Sequence, residues 1–391
     1  MPCVNGIVVE GAAERAIDEI SLRADASQIP LNAMVELTYR CNIDCVYCYC
    51  QHLDNTRGRE ELSTDEWKRV LDELARLGVL HLAMTGGEIL VRKDFWEIAR
   101  HAKALHFSIT LFTNGTLISQ KQADLLAELR PTSIEMTLLG ATEQSHDRLA
   151  RQRGAWRRMM CGALMLRERS LPFVFKTTLM KENFRELHEI EQVAKSYGCR
   201  KYSRGVDVSP RNDGNRDPER FQLGQQALFD FFADERTGEP VLPEVRPTRS
   251  LSLQKGTCGA ALNGCAVNPF GDFLPCIQLM IPFGNIRERS LLDMWTNPPE
   301  TVARIRNTKI YGQVSACSKC DLVDYCKRCH GLAHLDAGTW DACDPRARET
   351  AEVVRALVKY KKKGIAPSFE AEAGREFGCT CDLTGCQRYA V

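Results

Sequence analysis

The sequence lacks several features that would place it in common functional classes. It has no run of about 18 apolar residues, the length a membrane-spanning helix needs. Its opening, MPCVNGIVVEGAAERAIDE, has no basic stretch followed by an apolar one, so no secretory signal is expected either. An excess of charge is also missing: 52 Lys and Arg face 51 Asp and Glu, a formal net charge of +1, which removes the electrostatic argument for a nucleic-acid or anionic-membrane partner. There is no internal repeat and no low-complexity tract.

Cysteine, by contrast, is abundant: 18 in 391 residues. The expected location is the cytoplasm, where thiols stay reduced and closely spaced cysteines read as metal ligands rather than disulfides. One group comprises Cys41, Cys45, Cys48 and Cys50, a second runs from Cys258 to Cys343, and a third, Cys379, Cys381 and Cys386, lies in the tail. Cys3, Cys161 and Cys199 stand alone.

Hydrophobic content of 44% is enough for a buried core. From residue 33 to about residue 209, short β-rich runs (AMVEL, VLHLAM, FSITLF, TSIEMTL, FVFKTTL, KYSRGVDV) alternate with amphipathic stretches, the pattern of βα units around a parallel sheet. In the first of these helices Ser63 and Glu66 have capping-box spacing, Trp67, Val70, Leu71, Leu74 and Leu77 form one face, and Gly78 ends it. Further helices are expected at about 94–106, 119–129, 155–169 and 184–197. Six strands joined by right-handed crossovers give an open doubly wound sheet or most of a barrel. The pattern itself leaves both open.

RTGEPVLPEVRPTRS reads as a linker, which puts a boundary near residue 245. The expected organisation is an N-terminal extension at 1–32, a domain at 33–245, a second domain at 246–345 organised by bound metal rather than by a large core, and a basic helix with a cysteine-bearing tail at 346–391.

Cys41-x3-Cys45-x2-Cys48 directly follows the first strand, and the carboxyl ends of parallel strands are where such folds place ligands. Zinc completed by Cys50 or His52 is one reading. The other is a [4Fe-4S] cube, in which three thiolates leave one iron open to a further ligand. Cys41, Cys45, Val46, Tyr47 and Cys48 resemble the CxxxCxΦC motif of radical S-adenosylmethionine (SAM) enzymes. The resemblance implies a partial (β/α)6 TIM-type barrel. It also implies that the open iron chelates the methionyl group and that an electron splits the sulfonium to a 5′-deoxyadenosyl radical. MTGGEIL resembles the family's Gly-Gly-Glu segment, with Gly86 and Gly87 allowing close backbone approach and Glu88 accepting from the methionyl ammonium; Ile89 stands where proline is commoner. LFTNGTL and IEMTLLGATEQSHDRL resemble the third- and fourth-strand patterns, implying cofactor contacts from Asn114 and Thr137, with Leu139 in a place usually held by aspartate. Arg151, Arg153 and Lys176 are candidates for the methionyl carboxylate, against an ordinary solvated role for each.

The later cysteines read Cys258-x6-Cys265-x10-Cys276, then Cys317-x2-Cys320-x5-Cys326-x2-Cys329, then Cys343. Spacing leaves zinc ribbons open. With Gly271 five residues before Cys276, and CSKCDLVDYCKRCHGLAHLDAGTWDAC behind, the region resembles the SPASM extension, which carries two auxiliary [4Fe-4S] clusters. The resemblance implies Cys258, Cys265, Cys276 and Cys329 on one cluster and Cys317, Cys320, Cys326 and Cys343 on the other, three clusters per chain in all.

Relatives of this architecture mostly modify peptides, so the expected reaction is hydrogen abstraction from a peptide leading to a crosslink, an oxidation or an epimerisation. Ile277 occupies the place where sulfatase-maturing relatives carry a general-base aspartate, which argues against that subclass. About 33 residues before the first strand are too few for the winged-helix module that often binds leader peptides, so a separate protein presenting the peptide is expected, with a flavodoxin- or ferredoxin-type electron donor. The alternatives are a radical dehydrogenase of a sugar or other small metabolite, and a non-catalytic iron–sulfur or zinc scaffold. For Cys50 a packed or neighbouring-thiol role stands against hydrogen-atom donation, and for the three tail cysteines a terminus without specific function stands against a further site.

Overall fold

The computed structural model describes residues 26–50, 58–237, 252–254 and 256–363, with four positions between 19 and 24. The linker around residue 245, His52 and the tail cysteines lie outside the described residues.

All six expected strands form: β1 (Asn32–Glu36), β2 (His81–Thr85), β3 (Ser108–Thr113), β4 (Ser133–Thr137), β5 (Phe173–Thr178) and β6 (Lys201–Gly205). Each is parallel to its neighbour, in the order β6-β5-β4-β3-β2-β1. Side chains alternate between the two faces of a strand. Ile109 and Leu111 on β3, Ile134 and Met136 on β4, and Phe173 and Phe175 on β5 are buried in the main core. Their neighbours Thr110, Phe112 and Glu135 face the other way and line a cavity of about 430 Å³ on the concave side. The sheet does not close on itself, so this is an open, partial barrel.

The helix Thr64–Arg76 shows why the outer layer forms where it does. Ser63 and Glu66 make both bonds of a capping box, Trp67, Val70, Leu71 and Leu74 are buried, and Gly78 takes the left-handed conformation after the last turn. Fully burying such a side chain stabilises the fold by about 1.5–3 kcal/mol as an upper estimate. The other expected helices appear as Phe95–Ala104, Gln120–Leu129, Ala155–Glu168 and Leu187–Ser196. An additional helix, Glu143–Ala150, follows β4; Thr142 and Ser145 cap it.

The second region is less separate than the linker suggested. Its first strand, β7 (Gly264–Val267), pairs parallel to β1, with Ala33 opposite Cys265, so it extends the barrel's own sheet. Antiparallel β8 (Asp272–Leu274) and β9 (Gly284–Asn285) bring the sheet to nine strands among the described residues. The basic helix Pro345–Lys363 folds back: Val353 and Leu357 pack with Leu228 and Phe229 of the helix Gln225–Ala233. Among the described residues no helix is long and apolar enough to cross a membrane.

Candidate functional site

Three loops meet at the carboxyl ends of β1, β2 and β3, carrying respectively Cys41, Cys45 and Cys48; Gly86, Gly87 and Glu88; and Asn114. Gly87 N donates to Thr38 O (2.7 Å) and Glu88 N to Arg40 O (2.9 Å). A Cβ at Gly86 would collide with the Thr38 carbonyl and one at Gly87 with the Arg40 carbonyl. The two glycines are therefore needed for loop to lie on loop, a requirement separate from the approach of a ligand.

Glu88 is fully buried, and its carboxylate accepts from Leu90 N (3.0 Å), Thr113 Oγ1 (2.8 Å) and Asn114 N (2.7 Å). Burial pushes its pKa up against these bonds. Both oxygens are thus engaged within the protein, so Glu88 first of all clamps the end of β3 onto the Gly-Gly loop. Asn114, held by this clamp, donates from Nδ2 to Asn42 Oδ1 (2.9 Å) and lies 3.7 Å from Cys41 Sγ. Thr137 and Thr178, at the ends of β4 and β5, hydrogen-bond the Tyr47 hydroxyl.

The three thiols feel one another. Burial, with the charges of Cys48 and Cys41, raises Cys45 well above the ordinary thiol range, and burial lifts Cys41 to about 11. Cys48 is brought down to about 7, chiefly by the hydrogen bond with the Cys50 side chain, with Arg211 adding attraction. Cys50 is buried, and its Sγ lies 3.6 Å from Gly86 O, so it packs between the two motifs. Of the cations considered for the methionyl carboxylate, Arg151 pairs with Asp44 (3.0 Å) and Lys176 pairs with Glu135 (2.7 Å) over the ring of Phe112. Arg153 is exposed. Leu139, in the usual aspartate place, is buried and donates its N–H to His146 Nδ1 (3.2 Å), an imidazole that burial lowers to about 4.

Sequence reasoning missed a buried acid beside these thiols. Glu36, at the end of β1, accepts from the hydroxyls of Tyr39 and Tyr49, both at 3.0 Å. Its signal was a lone carboxylate inside the otherwise apolar AMVEL strand.

Cys317, Cys320, Cys326 and Cys343 line one small cavity between the loop at 317–326 and the start of the C-terminal helix. Cys258, Cys276 and Cys329 also come together, each of Cys258 and Cys276 being raised in part by the charge of Cys329. Cys265 is raised to about 12 by burial alone, and its Sγ lies 3.8 Å from Asn32 O; with Cys276 and Ile277 it lines the barrel cavity. Arg328, unremarked in the sequence, sits between the two sets. It donates to Trp340 O and Ala342 O (both 2.6 Å), and its charge opposes the rise at Cys258 and Cys317. Gly271 adopts φ +86° where a Cβ would press on Ile286, the reason for glycine ahead of Cys276. Among the described residues no three His, Cys, Asp or Glu converge as they would around a single metal ion. Sets of soft thiols, four of them around one void where they outnumber the single carboxylate of Asp344, fit the larger iron–sulfur cube better than a lone ion.

Residues 35–194 match the model of the radical SAM superfamily, and residues 258–330 match that of SPASM, an iron–sulfur cluster-binding domain. The chain belongs to the radical SAM superfamily. As a radical SAM enzyme with a SPASM domain, it uses SAM and a [4Fe-4S] cluster in the barrel and auxiliary iron–sulfur clusters in the second region. It is 28% identical over 328 residues to the AdoMet-dependent heme synthase of Methanosarcina barkeri, covering 78% of this chain and 92% of that protein. To the PqqA peptide cyclase of Xanthomonas campestris it is 28% identical over 352 residues, covering 87% and 93%. Streptococcus suis SuiB, solved with its precursor peptide SuiA, shares the fold of this radical SAM chain with a TM-score of 0.62 at 17% identity, over 88% of this chain and 82% of SuiB.

Proposed function

We propose that this radical SAM enzyme modifies a peptide, abstracting a hydrogen atom on the way to a crosslink, an oxidation or an epimerisation. The observation that carries the reading is the position of the three thiols, at the strand ends of an open barrel whose cavity of about 430 Å³ reaches the second thiol region. Cys41, Cys45 and Cys48 hold the SAM-binding cluster. Gly86, Gly87, Glu88, Asn114 and Thr137 form the cofactor-facing rim, Glu88 acting through Asn114. Cys258, Cys265, Cys276 and Cys329 hold one auxiliary cluster and Cys317, Cys320, Cys326 and Cys343 the other. When bound, the first cluster supplies the electron that cleaves SAM to the 5′-deoxyadenosyl radical. The carboxylate facing the substrate cavity is Glu135, since Ile277 offers only its side-chain bulk and a carbonyl taken by Asn212 Nδ2 (3.1 Å).

The peptide assignment draws on the named activity of the peptide cyclase relative and on the fold shared with SuiB. A separate presenting protein and a reducing compartment such as the cytoplasm belong to the same reading. So does a flavodoxin- or ferredoxin-type donor. A groove between the helices Phe95–Ala104 and Gln120–Leu129, lined by Trp96, Lys93, Arg100 and Lys121, supports docking of an acidic electron carrier beside the Glu88 loop. The heme synthase relative favours, as the second reading, a small-molecule substrate.

The test is anaerobic reconstitution with dithionite and SAM. The protein forms 5′-deoxyadenosine, and Cys45→Ala does not. Peptides encoded beside the gene then gain the mass change of a modification. An unaltered protein that forms no 5′-deoxyadenosine removes the enzyme reading, and turnover only with a small metabolite selects the second one.

A further inference from the structure

The SPRNDG turn at 209–214 reaches both thiol regions without a part in the reaction above. Asn212 N donates to Tyr49 O (2.8 Å), Asn212 Nδ2 to Ile277 O (3.1 Å) and Arg211 Nη1 to Cys50 O (3.2 Å). The turn is therefore a strut, pinned on one side to the CxxxCxΦC loop and on the other to the residue after Cys276. It places Arg211 with 7% exposure.

Among the described residues the guanidinium has one hydrogen-bond acceptor, the Cys50 carbonyl. Its Nε has none, and among the described residues no carboxylate is ion-paired with it. Every other described arginine at or below 8% exposure has more acceptors: Arg92 and Arg346 have acidic partners, and Arg306 and Arg328 each donate to two carbonyls. An arginine stays charged in a protein. A buried ion without a counter-charge is destabilising, so Arg211 sits in a site suited to an anion other than a carboxylate. A negative charge within its reach is the thiolate of Cys48, which Arg211 attracts. A cube held by three thiolates carries one net negative charge when oxidised and two once reduced.

We propose that Arg211 is the counter-charge of the cluster held at Cys41, Cys45 and Cys48, a positioning residue that raises the reduction potential of that cluster. The inference rests on the ligand assignment proposed above. A fixed cation favours the more negative state, so it makes the first electron easier to accept. The strut keeps the guanidinium in place whether or not SAM is bound.

The experiment compares the unaltered protein, Arg211→Gln and Arg211→Lys, each reconstituted without oxygen. Iron content and SAM affinity are measured, and the SAM-responsive electron paramagnetic resonance signal is followed in a potentiometric titration. Expected results are equal iron content, a more negative potential for that signal in Arg211→Gln, a potential close to the unaltered one in Arg211→Lys, and auxiliary-cluster potentials unmoved. The proposal is overturned by an unchanged potential in Arg211→Gln, by an equal shift in Arg211→Lys, or by loss of the cluster in Arg211→Gln alone. Weaker SAM binding without a change of potential also overturns it, assigning Arg211 to the methionyl carboxylate. An unaltered protein with no SAM-responsive signal would instead strike the ligand assignment underneath.

Discussion

Glu36 offers a quantitative test of the site's electrostatics. Its carboxyl group is fully buried between the Tyr39 and Tyr49 hydroxyls and is raised from 4.5 to about 7, chiefly by burial, with the Cys48 charge adding to the rise and the two hydrogen bonds opposing it. Between those two values the folded protein keeps a proton that the unfolded chain has released. Stability therefore falls as pH rises through this window and levels off above about 7. The difference of 2.5 units (7 minus 4.5) corresponds to about 3 kcal/mol in total, an order-of-magnitude figure, with a slope of about 1 kcal/mol per pH unit near the middle of the window. Glu36→Gln removes the charge and keeps a group that can accept from one tyrosine and donate to the other.

His146 and His330, both lowered to about 4 mainly by burial, impose the opposite trend, losing stability as pH falls below 6.5. That trend is common to both proteins and cancels in the difference between them. In urea unfolding of matched apoproteins under anaerobic, reducing conditions, Glu36→Gln should gain little at pH 5. Its advantage should grow to about 3 kcal/mol by pH 8. A difference that is flat, or that shrinks with rising pH, refutes the assignment of Glu36 as a buried acid carrying a desolvation penalty.

Three further outcomes follow from the geometry. Gly87→Ala forces a Cβ against the Arg40 carbonyl, so the two loops must part; a loss of about 1–3 kcal/mol in stability and at least tenfold less 5′-deoxyadenosine are expected, and an unaffected variant would show that the loops are not in contact. Reversing Lys93, Arg100 and Lys121 to glutamate should slow turnover with reduced flavodoxin and leave turnover with dithionite unchanged; equal effects on both would remove the docking face. Cys343→Ala should lower iron from about twelve to about eight per chain while SAM-dependent 5′-deoxyadenosine formation persists; full iron retention would exclude Cys343 from a four-thiol set.

The local features of this chain were legible because their causes are local. The capping box at Ser63 and Glu66, the apolar stripe from Trp67 to Leu74 and the terminating Gly78 occupy one short segment, and the same holds for the six alternating strands. Cysteine spacing in the first motif, with its place just after β1, pointed to chemistry at the strand ends. The helix Glu143–Ala150 was less visible, since it is only eight residues long, with Leu149 and Ala150 its only apolar side chains, inside a segment read for its motif.

Repeating βα units, the thiol groups and the family they resemble are readable along the chain, because period, capping and spacing are properties of neighbouring residues. Tertiary structure alone decided that β7 would extend the barrel's sheet beside β1, that Glu88 would clamp Asn114 near Cys41, and that Glu36 and Arg211 would be buried beside Cys48. Those outcomes depend on which groups from distant segments share one desolvated space, and no spacing along the chain encodes that distance.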